Sequence, residues 1–198
     1  MSNADHTTRT ILYPRTINDT LVISRGSGGN LDLGAAYEVS GISQVKAFSL
    51  SGVPDGGYDF ATAGIVLGWG LRNDVGIVEH PTTGGIWAVE NSFDQLERNG
   101  VDVHENNPGE ELNFLAFINA TRGPRQQGND DGYNFGYPYC FTAWDPAALP
   151  DNEGISVGTP FAQSSVNDSM CAGTKAPRLT SPAHMVCRSW SLVGVVVS

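Results

Sequence analysis

The residues best suited to chemistry are Arg72 and Asn73, which follow the apolar stretch GWGL and precede a β-branched run. A guanidinium presents five N–H donors in a fixed planar arrangement, and the neighbouring amide adds donors and an acceptor. Together they suit a planar ligand that carries carboxylates and carbonyls. Alternatively, Arg72 closes a turn by hydrogen-bonding local carbonyls, which is the more common role of an isolated Arg-Asn pair.

A second candidate group lies near the start of the chain, where His6 follows Asp5. An imidazole accepts a proton near neutral pH, so His6 can act as a general base. A histidine so near a terminus is otherwise most simply a solvated tail residue. The remaining histidines, for which we predict structural or exposed roles because they lack metal-ligand spacing, are His80, His104 and His184.

The charge of the chain limits its partners. Its 198 residues include 11 Lys and Arg against 21 Asp and Glu, which gives a net charge of −10. This charge repels phosphate backbones and anionic membrane surfaces, so we expect no nucleic-acid partner and no membrane association. No apolar run approaches the about 18 residues of a spanning helix, and the first ten residues lack the basic and apolar regions of a signal peptide.

Other features favour a secreted parent protein. Three stretches fit the N-glycosylation acceptor pattern and begin at Asn18, Asn119 and Asn167. Cys140 and Cys171 can close one loop in an oxidising compartment, with Cys187 left over. Three ordinary reduced cysteines are the alternative.

Short strands are the elements expected to position these residues. The 24 glycines and 11 prolines are scattered, with β-branched runs between them, which is typical of an all-β protein. The predicted strands cover 8–14, 20–26, 44–50, 65–71, 75–80, 85–91 and 112–118. We predict a long polar loop over 97–111 and largely irregular structure over 145–177. Such strand spacing suits a sandwich or a propeller.

One long block carries a family resemblance. Residues 68–113, GWGLRNDVGIVEHPTTGGIWAVENSFDQLERNGVDVHENNPGEELN, resemble fungal pyranose dehydrogenases of the sorbosone dehydrogenase type. These are extracellular quinoproteins, related to bacterial soluble glucose dehydrogenases whose six-bladed β-propeller holds pyrroloquinoline quinone (PQQ) and calcium at the mouth of its channel. The resemblance extends from about Asp5 to about His184.

The resemblance implies a partial six-bladed β-propeller of roughly four blades, at about 40–45 residues per blade. Residues 1–185 would form this incomplete quinoprotein domain. The tail, 186–198, departs from the family's pattern, and we hypothesise that it is not native coding sequence.

The resemblance also implies roles for the candidate residues. The matching Arg-Asn pair contacts the quinone, so Arg72 and Asn73 become cofactor-binding candidates. Arg72 would stabilise negative charge as hydride arrives. His6 matches the catalytic base, and Asp5 would contact the sugar or raise the basicity of His6.

A calcium site is implied where the strand GIWAVENS ends. There the family turns backbone carbonyls toward calcium, and Ser92 and Phe93 occupy the matching positions, although a plain polar strand end is the alternative. We predict that Glu110 and Glu111 support a loop and point in opposite directions if extended.

Two further segments of the resemblance adjoin the implied site. The turn SRGSGGN, 24–30, makes Arg25 and Asn30 candidate sugar or cofactor neighbours, with a flexible loop as an equal alternative. In DGYNFGYPYCFTAWD we expect the aromatic residues Tyr133, Tyr137 and Trp144 to pack rather than catalyse.

The implied activity is PQQ- and calcium-dependent oxidation of a pyranose or keto-sugar, impaired in so short a chain, with electrons passed to a haem domain or another acceptor. One alternative is an inactive propeller fragment that only binds sugar or protein. The other is a calcium-dependent lactonase, in which His6 would act on water. Quinone-dependent turnover and lactone cleavage distinguish the three.

Overall fold

The structure, a computed structural model, describes residues 5–118 and 134–185, which are mostly strands and loops. The strands are β1 (Ile11–Leu12), β2 (Thr20–Arg25), β3 (Gln44–Ser49), β4 (Ile65–Trp69), β5 (Asp74–Glu79), β6 (Gly85–Glu90), β7 (Glu97–Arg98), β8 (Val101–Asp102), β9 (Glu110–Phe117), β10 (Cys140–Thr142), β11 (Pro160–Ala162) and β12 (Leu179–Ser181). The 3-10 helices are Leu33–Ala36, Glu38–Ser40, Pro146–Ala148 and Ser165–Gly173. No helix within the described ranges is long and apolar enough to cross a membrane.

Two four-stranded antiparallel sheets form the main body. The first follows chain order, β1-β2-β3-β4, and the second has the order β12-β9-β6-β5. The pairs β7-β8 and β10-β11 form two further small sheets. This arrangement confirms the all-β prediction, whereas the number of propeller blades stays a prediction.

The two large sheets pack against each other through one apolar core. From the first sheet and its end the core takes Val22, Val45, Leu67 and Leu71, and from the second it takes Ile86, Ala88 and Leu115. Gly68 is part of this packing, because an added Cβ would lie 2.9 Å from the Phe135 ring and 3.0 Å from Leu71. The core therefore fixes the ends of the strands and, with them, the link between β4 and β5.

Each predicted strand overlaps an observed one, but the predicted loop over 97–111 is wrong in part. It contains the hairpin β7-β8 and the first two residues of β9. The hairpin turns at Asn99 and Gly100, whose φ angles are 50° and 74°. Asn-Gly is the preferred pair for such a turn, and it is a local signal that a prediction from polar composition does not use.

The buried side chain of Arg98 explains why this polar hairpin is ordered. It is 0% exposed and donates to the carbonyls of Pro150, Asp151 and Ala162 at 2.7–3.0 Å. It also pairs with both carboxylate oxygens of Asp168 at 2.8 and 2.7 Å. These contacts hold part of 145–177, which was predicted to be largely irregular but contains β11 and the helix Ser165–Gly173.

A disulfide joins Cys140 to Cys171 and is buried. The bridge connects β10 to the helix Ser165–Gly173 across 31 residues of sequence. Of the two alternatives for these residues, the structure therefore supports the bridge. Cys187, like the rest of 186–198, lies outside the described residues.

Breaking this disulfide should cost substantial stability, because a closed loop of this length restricts the unfolded chain. We expect Cys140→Ser combined with Cys171→Ser to lower the free energy of unfolding by about 3–4 kcal/mol in urea titrations. Dithiothreitol should destabilise the wild type similarly and leave the double variant unchanged. Equal stability of the wild type and the double variant would contradict the assignment.

Candidate functional site

Arg72 lies in the link between β4 and β5, and this link is tightly held. It turns at Gly70, whose φ is 67° and where a Cβ would lie 2.5 Å from Asn134 Oδ1. The next side chain, Leu71, is fully buried in the core. The Arg72 backbone N–H then donates to Glu90 Oε1 at 2.7 Å. The backbone therefore directs the arginine side chain to one place.

The Arg72 guanidinium is only 2% exposed and is surrounded by protein oxygens. Nε donates to Asn30 O at 3.1 Å, and Nη2 donates to Asn30 Oδ1 at 2.8 Å and Asp94 Oδ2 at 2.9 Å. Nη1 donates to Ser92 O at 2.6 Å and Asn91 Oδ1 at 3.0 Å. All five N–H groups thus have protein acceptors, which agrees with the local role considered for Arg72. Its contact with a cofactor stays a prediction.

His6 is half-buried and is oriented by one neighbour. Its Nδ1 lies 3.1 Å from Ser27 O and 2.9 Å from Ser27 Oγ. Because a carbonyl only accepts, this contact assigns the proton to Nδ1 and leaves the lone pair on Nε2. Burial lowers the pKa of His6 below its usual value, and the positive charge of Arg72 lowers it further. The ring is therefore a neutral base at neutral pH.

Gly26 marks the place where the predicted residues meet. A Cβ there would lie 2.6 Å from Asn73 Oδ1, 3.0 Å from His6 Cβ and 3.2 Å from Arg72 O. The side-chain amide of Asn73 is half-buried and makes no hydrogen bond to the described residues. The structure thus brings His6, Arg72 and Asn73 together, and only glycine fits between them. Asp5 is exposed, and its charge favours the protonated form of His6.

Ser92 and Phe93, the predicted calcium-binding positions, follow the end of β6 after one residue, Asn91. Phe93 is buried and packs on Phe141 with ring centroids 5.1 Å apart. The Ser92 N–H donates to Glu110 Oε2 at 2.7 Å, and its carbonyl accepts from Arg72. The backbone of this strand end is therefore held on both sides.

The oxygen atoms around Ser92 suit a hard cation as ligands. The Ser92 carbonyl keeps one lone pair, and the Phe93 carbonyl accepts no hydrogen bond from the described residues. The carboxylate of Asp94 is 51% exposed beside them. Carbonyl and carboxylate oxygens are the ligands that calcium prefers. Across 5–118 and 134–185, no group of three or more His, Cys, Asp or Glu side chains is arranged to hold a metal ion.

Glu110 and His184 adjoin the site, which the sequence did not indicate for His184. Glu110 is 4% exposed, and its Oε1 accepts the His184 N–H at 3.1 Å. His184 Nδ1 lies 3.6 Å from Asp94 Oδ1. Burial raises the pKa of Glu110 to about 7, although the N–H groups of Ser92 and His184 oppose the shift. No sequence signal links positions so far apart.

Glu111 points away from Glu110, as predicted for adjacent extended residues. Its carboxylate accepts from Thr142 Oγ1 and, at 2.9 Å, from Asn113 Nδ2. Both glutamates are buried at the start of β9 rather than in a loop, which corrects their predicted location. They nevertheless brace neighbouring segments.

Three carboxyl groups form a row across the second sheet. Asp74 pairs with Glu90, and Glu90 pairs with Glu111, on neighbouring strands. All three are buried, and neither carboxylate oxygen of Asp74 has a hydrogen-bond partner among the described residues. Burial raises the pKa of Asp74 well above its usual value, and the charge of Glu111 raises it further.

This row predicts that stability falls as pH rises. Asp74 ionises near pH 4 in the unfolded chain but at a higher pH in the folded one, so folding takes up a proton between these values. Asp74→Asn should make the slope of unfolding free energy against pH shallower by up to about 1.4 kcal/mol per pH unit within this window. Urea titrations from pH 5 to 8 with EDTA would measure the slopes. Asp55→Asn, in an exposed loop, is the control, and equal slopes for both variants would contradict the assignment.

The other candidate residues have mainly structural contacts. Asn30 belongs to the Arg72 network, whereas Arg25 donates to Gly41 O at 3.0 Å. Tyr137 is buried and donates to Asn30 O at 3.0 Å, which confirms its packing role. Trp144 is half-buried, and Tyr133 lies outside the described residues.

Two of the remaining histidines have the structural or exposed roles predicted for them. His80 Nδ1 lies 3.3 and 3.2 Å from the N–H groups of Thr82 and Thr83. His104 is partly exposed and pairs with Asp102. Neither contact involves the residues around Arg72.

Fold and site together define an all-β protein with a neutral histidine, a buried arginine and an oxygen-rich strand end at one edge. A family model described as TrAA12-like matches residues 1–187. The chain belongs to this family.

Two relatives of this chain have names that state their activity. A pyrroloquinoline quinone-dependent sugar dehydrogenase from Hypocrea jecorina is 44% identical over 192 residues, covering 93% of this chain and 43% of the relative. A pyrroloquinoline quinone-dependent pyranose dehydrogenase from Coprinopsis cinerea is 35% identical over 193 residues, covering 93% and 25%. The resemblance to quinoprotein sugar dehydrogenases is thus confirmed, and the chain spans less than half of each relative.

Two solved structures of such proteins are also similar to this chain. The calcium structure of a Trichoderma reesei Carbohydrate-Active Enzymes Family AA12 protein has a TM-score of 0.82 and 43% identity, covering 93% of this chain and 45% of that one. The holo form of the pyranose dehydrogenase PQQ domain from Coprinopsis cinerea has a TM-score of 0.80 and 35% identity, covering 93% and 44%. The described sheets therefore have the fold of the corresponding part of these proteins.

Proposed function

We propose that the chain forms part of a PQQ- and calcium-dependent dehydrogenase that oxidises pyranoses or keto-sugars. The observation that carries this proposal is the meeting of His6, Arg72 and Asn73 around Gly26 in a chain of this family. Because the chain spans less than half of its relatives, the complete reaction is proposed for a protein of the relatives' length.

His6 acts as the general base. Its Nδ1–H is held by Ser27, so Nε2 accepts the proton of the sugar hydroxyl. PQQ, when bound, supplies the two-electron acceptor for the hydride that leaves the same carbon, which becomes a carbonyl. The lowered pKa keeps His6 unprotonated between turnovers at neutral pH.

Arg72 contributes a fixed positive charge and organises the site. In its buried position the charge is poorly screened, so it stabilises negative charge that develops nearby. Its hydrogen bonds also hold Asn30 and Ser92 in place. The amide of Asn73, which makes no side-chain hydrogen bond to the described residues, can donate to a quinone or sugar oxygen.

The carbonyls of Ser92 and Phe93, with the carboxylate of Asp94, would hold the calcium ion. These oxygens suit calcium in type, and the Ser92 carbonyl is held in place by its hydrogen bond from Arg72 Nη1. The ion would supply Lewis-acid polarisation of a ligand carbonyl.

We also propose that the parent protein is a secreted six-bladed propeller that passes electrons to a haem domain or another acceptor. The buried disulfide supports an oxidising compartment. Asn18 and Asn167 are exposed, as glycosylation would require, whereas Asn119 lies outside the described residues.

Dye reduction tests the proposed activity. The chain, and a form extended to the full length of its relatives, would be incubated with PQQ, calcium and a panel of pyranoses. We expect sugar-dependent reduction by the extended form that requires both PQQ and calcium, and weaker or no reduction by the 198-residue chain. Lactone cleavage without PQQ would favour the lactonase, and sugar binding without turnover in the extended form would favour the inactive binding protein.

A further inference from the structure

Glu110 connects two segments that lie far apart in sequence. One carboxylate oxygen accepts the Ser92 N–H at 2.7 Å, and the other accepts the His184 N–H at 3.1 Å. Both donors are backbone groups, so the carboxylate fixes the path of the chain rather than a side chain. At 4% exposure, Glu110 has little competition from water for either contact.

Each of these segments contributes to the same edge of the site. Ser92 presents its carbonyl to Arg72 Nη1 at 2.6 Å, and His184 places Nδ1 3.6 Å from Asp94 Oδ1. Asp94 in turn pairs with Arg72 at 2.9 Å. Glu110 therefore closes a loop of contacts that runs from Ser92 through Arg72 and Asp94 to His184.

The backbone conformation at His184 gives a reason for the hydrogen bond from its N–H to Glu110. His184 has a φ of 61°, in the left-handed region that a residue with a side chain adopts at a cost. A hydrogen bond from its N–H to a buried carboxylate offsets that cost. Without Glu110, the described structure shows no other acceptor for either N–H.

From these contacts we infer that Glu110 is a positioning residue for the cation site, because it fixes the Ser92 carbonyl in place relative to the pair His184–Asp94. This inference rests on the proposed function, since the cation is the calcium ion proposed there. Glu110 touches no ligand itself. It acts through the oxygens that it orients, as outer residues do at metal sites.

Glu110→Gln tests the inference, because the amide keeps the size of the carboxylate but offers only one acceptor oxygen. The matched control is Glu111→Gln, the adjacent buried glutamate, whose carboxylate faces Thr142 and Asn113. Calcium chloride would be titrated calorimetrically into each full 198-residue chain, with and without PQQ. We expect Glu110→Gln to weaken calcium binding about 10-fold or more and Glu111→Gln to change it less than twofold.

Amide hydrogen exchange adds a readout that needs no variant. In the wild type, calcium should slow exchange at both Ser92 and His184, because one carboxylate holds both. Slower exchange at Ser92 alone would overturn the inference, and so would calcium binding within twofold of the wild type in Glu110→Gln. Absence of calcium binding by the wild type, with and without PQQ, would instead overturn the calcium part of the proposed function and this inference with it.

Discussion

His6→Ala is expected to lower kcat by about 10²–10⁴-fold in the PQQ- and calcium-loaded protein, because it removes the base that accepts the sugar proton. PQQ binding should change little, since the ring of His6 hydrogen-bonds to Ser27 rather than to Arg72. Stopped-flow dye reduction would measure kcat, and calorimetry would measure binding. His80→Ala, which alters only a turn contact, is the control.

The pH dependence of kcat/KM tests the same role of His6. Because burial and Arg72 lower the pKa of His6, the wild-type kcat/KM should hold its plateau below pH 6.5 before it declines in more acidic solution. A decline centred above pH 6.5 would contradict the assignment. A kcat in His6→Ala within threefold of the wild type would rule out His6 as the base.

Arg72→Lys is expected to damage both stability and binding. Lysine keeps the charge but cannot reproduce five planar donors, so at least two charge-assisted hydrogen bonds are lost. Each is worth about 1.5–3 kcal/mol, which suggests a loss on the order of 3 kcal/mol in the free energy of unfolding. Calcium and PQQ affinities should also fall about 10-fold or more, because Ser92 and Asn30 lose their partner.

Arg98→Lys is the matched control, because the chain offers a second buried arginine with the same kind of network. Arg98 also donates to carbonyls and pairs with one carboxylate, Asp168, but it holds the hairpin β7-β8. We expect a similar loss of stability, measured by urea titration, with unchanged calcium affinity. Equal effects on calcium affinity in both variants would contradict a special role for Arg72.

The sequence predicted strands where apolar or β-branched runs lie between glycines. β2 and β3 match their predicted ranges within one residue. The hairpin β7-β8 was missed because its stability comes from the buried contacts of Arg98 with residues 52 to 70 positions later. Polar composition alone cannot reveal such long-range partners.

The site was predictable to a similar extent. The resemblance identified His6, Arg72 and Asn73, and the structure brings these three together. Their meeting depends on Gly26, whose importance appears only when the packing is known. Glu110 was expected to brace a loop, but its contact with His184 joins positions 74 residues apart, which no local pattern encodes.

Calorimetric titration of the chain with PQQ, with and without calcium, tests the central claim most directly. We expect calcium-dependent binding that is lost in Arg72→Ala, because the oxygens of Asn30, Ser92 and Asp94 are then no longer held together. Absence of PQQ binding in calcium, both for this chain and for a form extended to the length of its relatives, would contradict it.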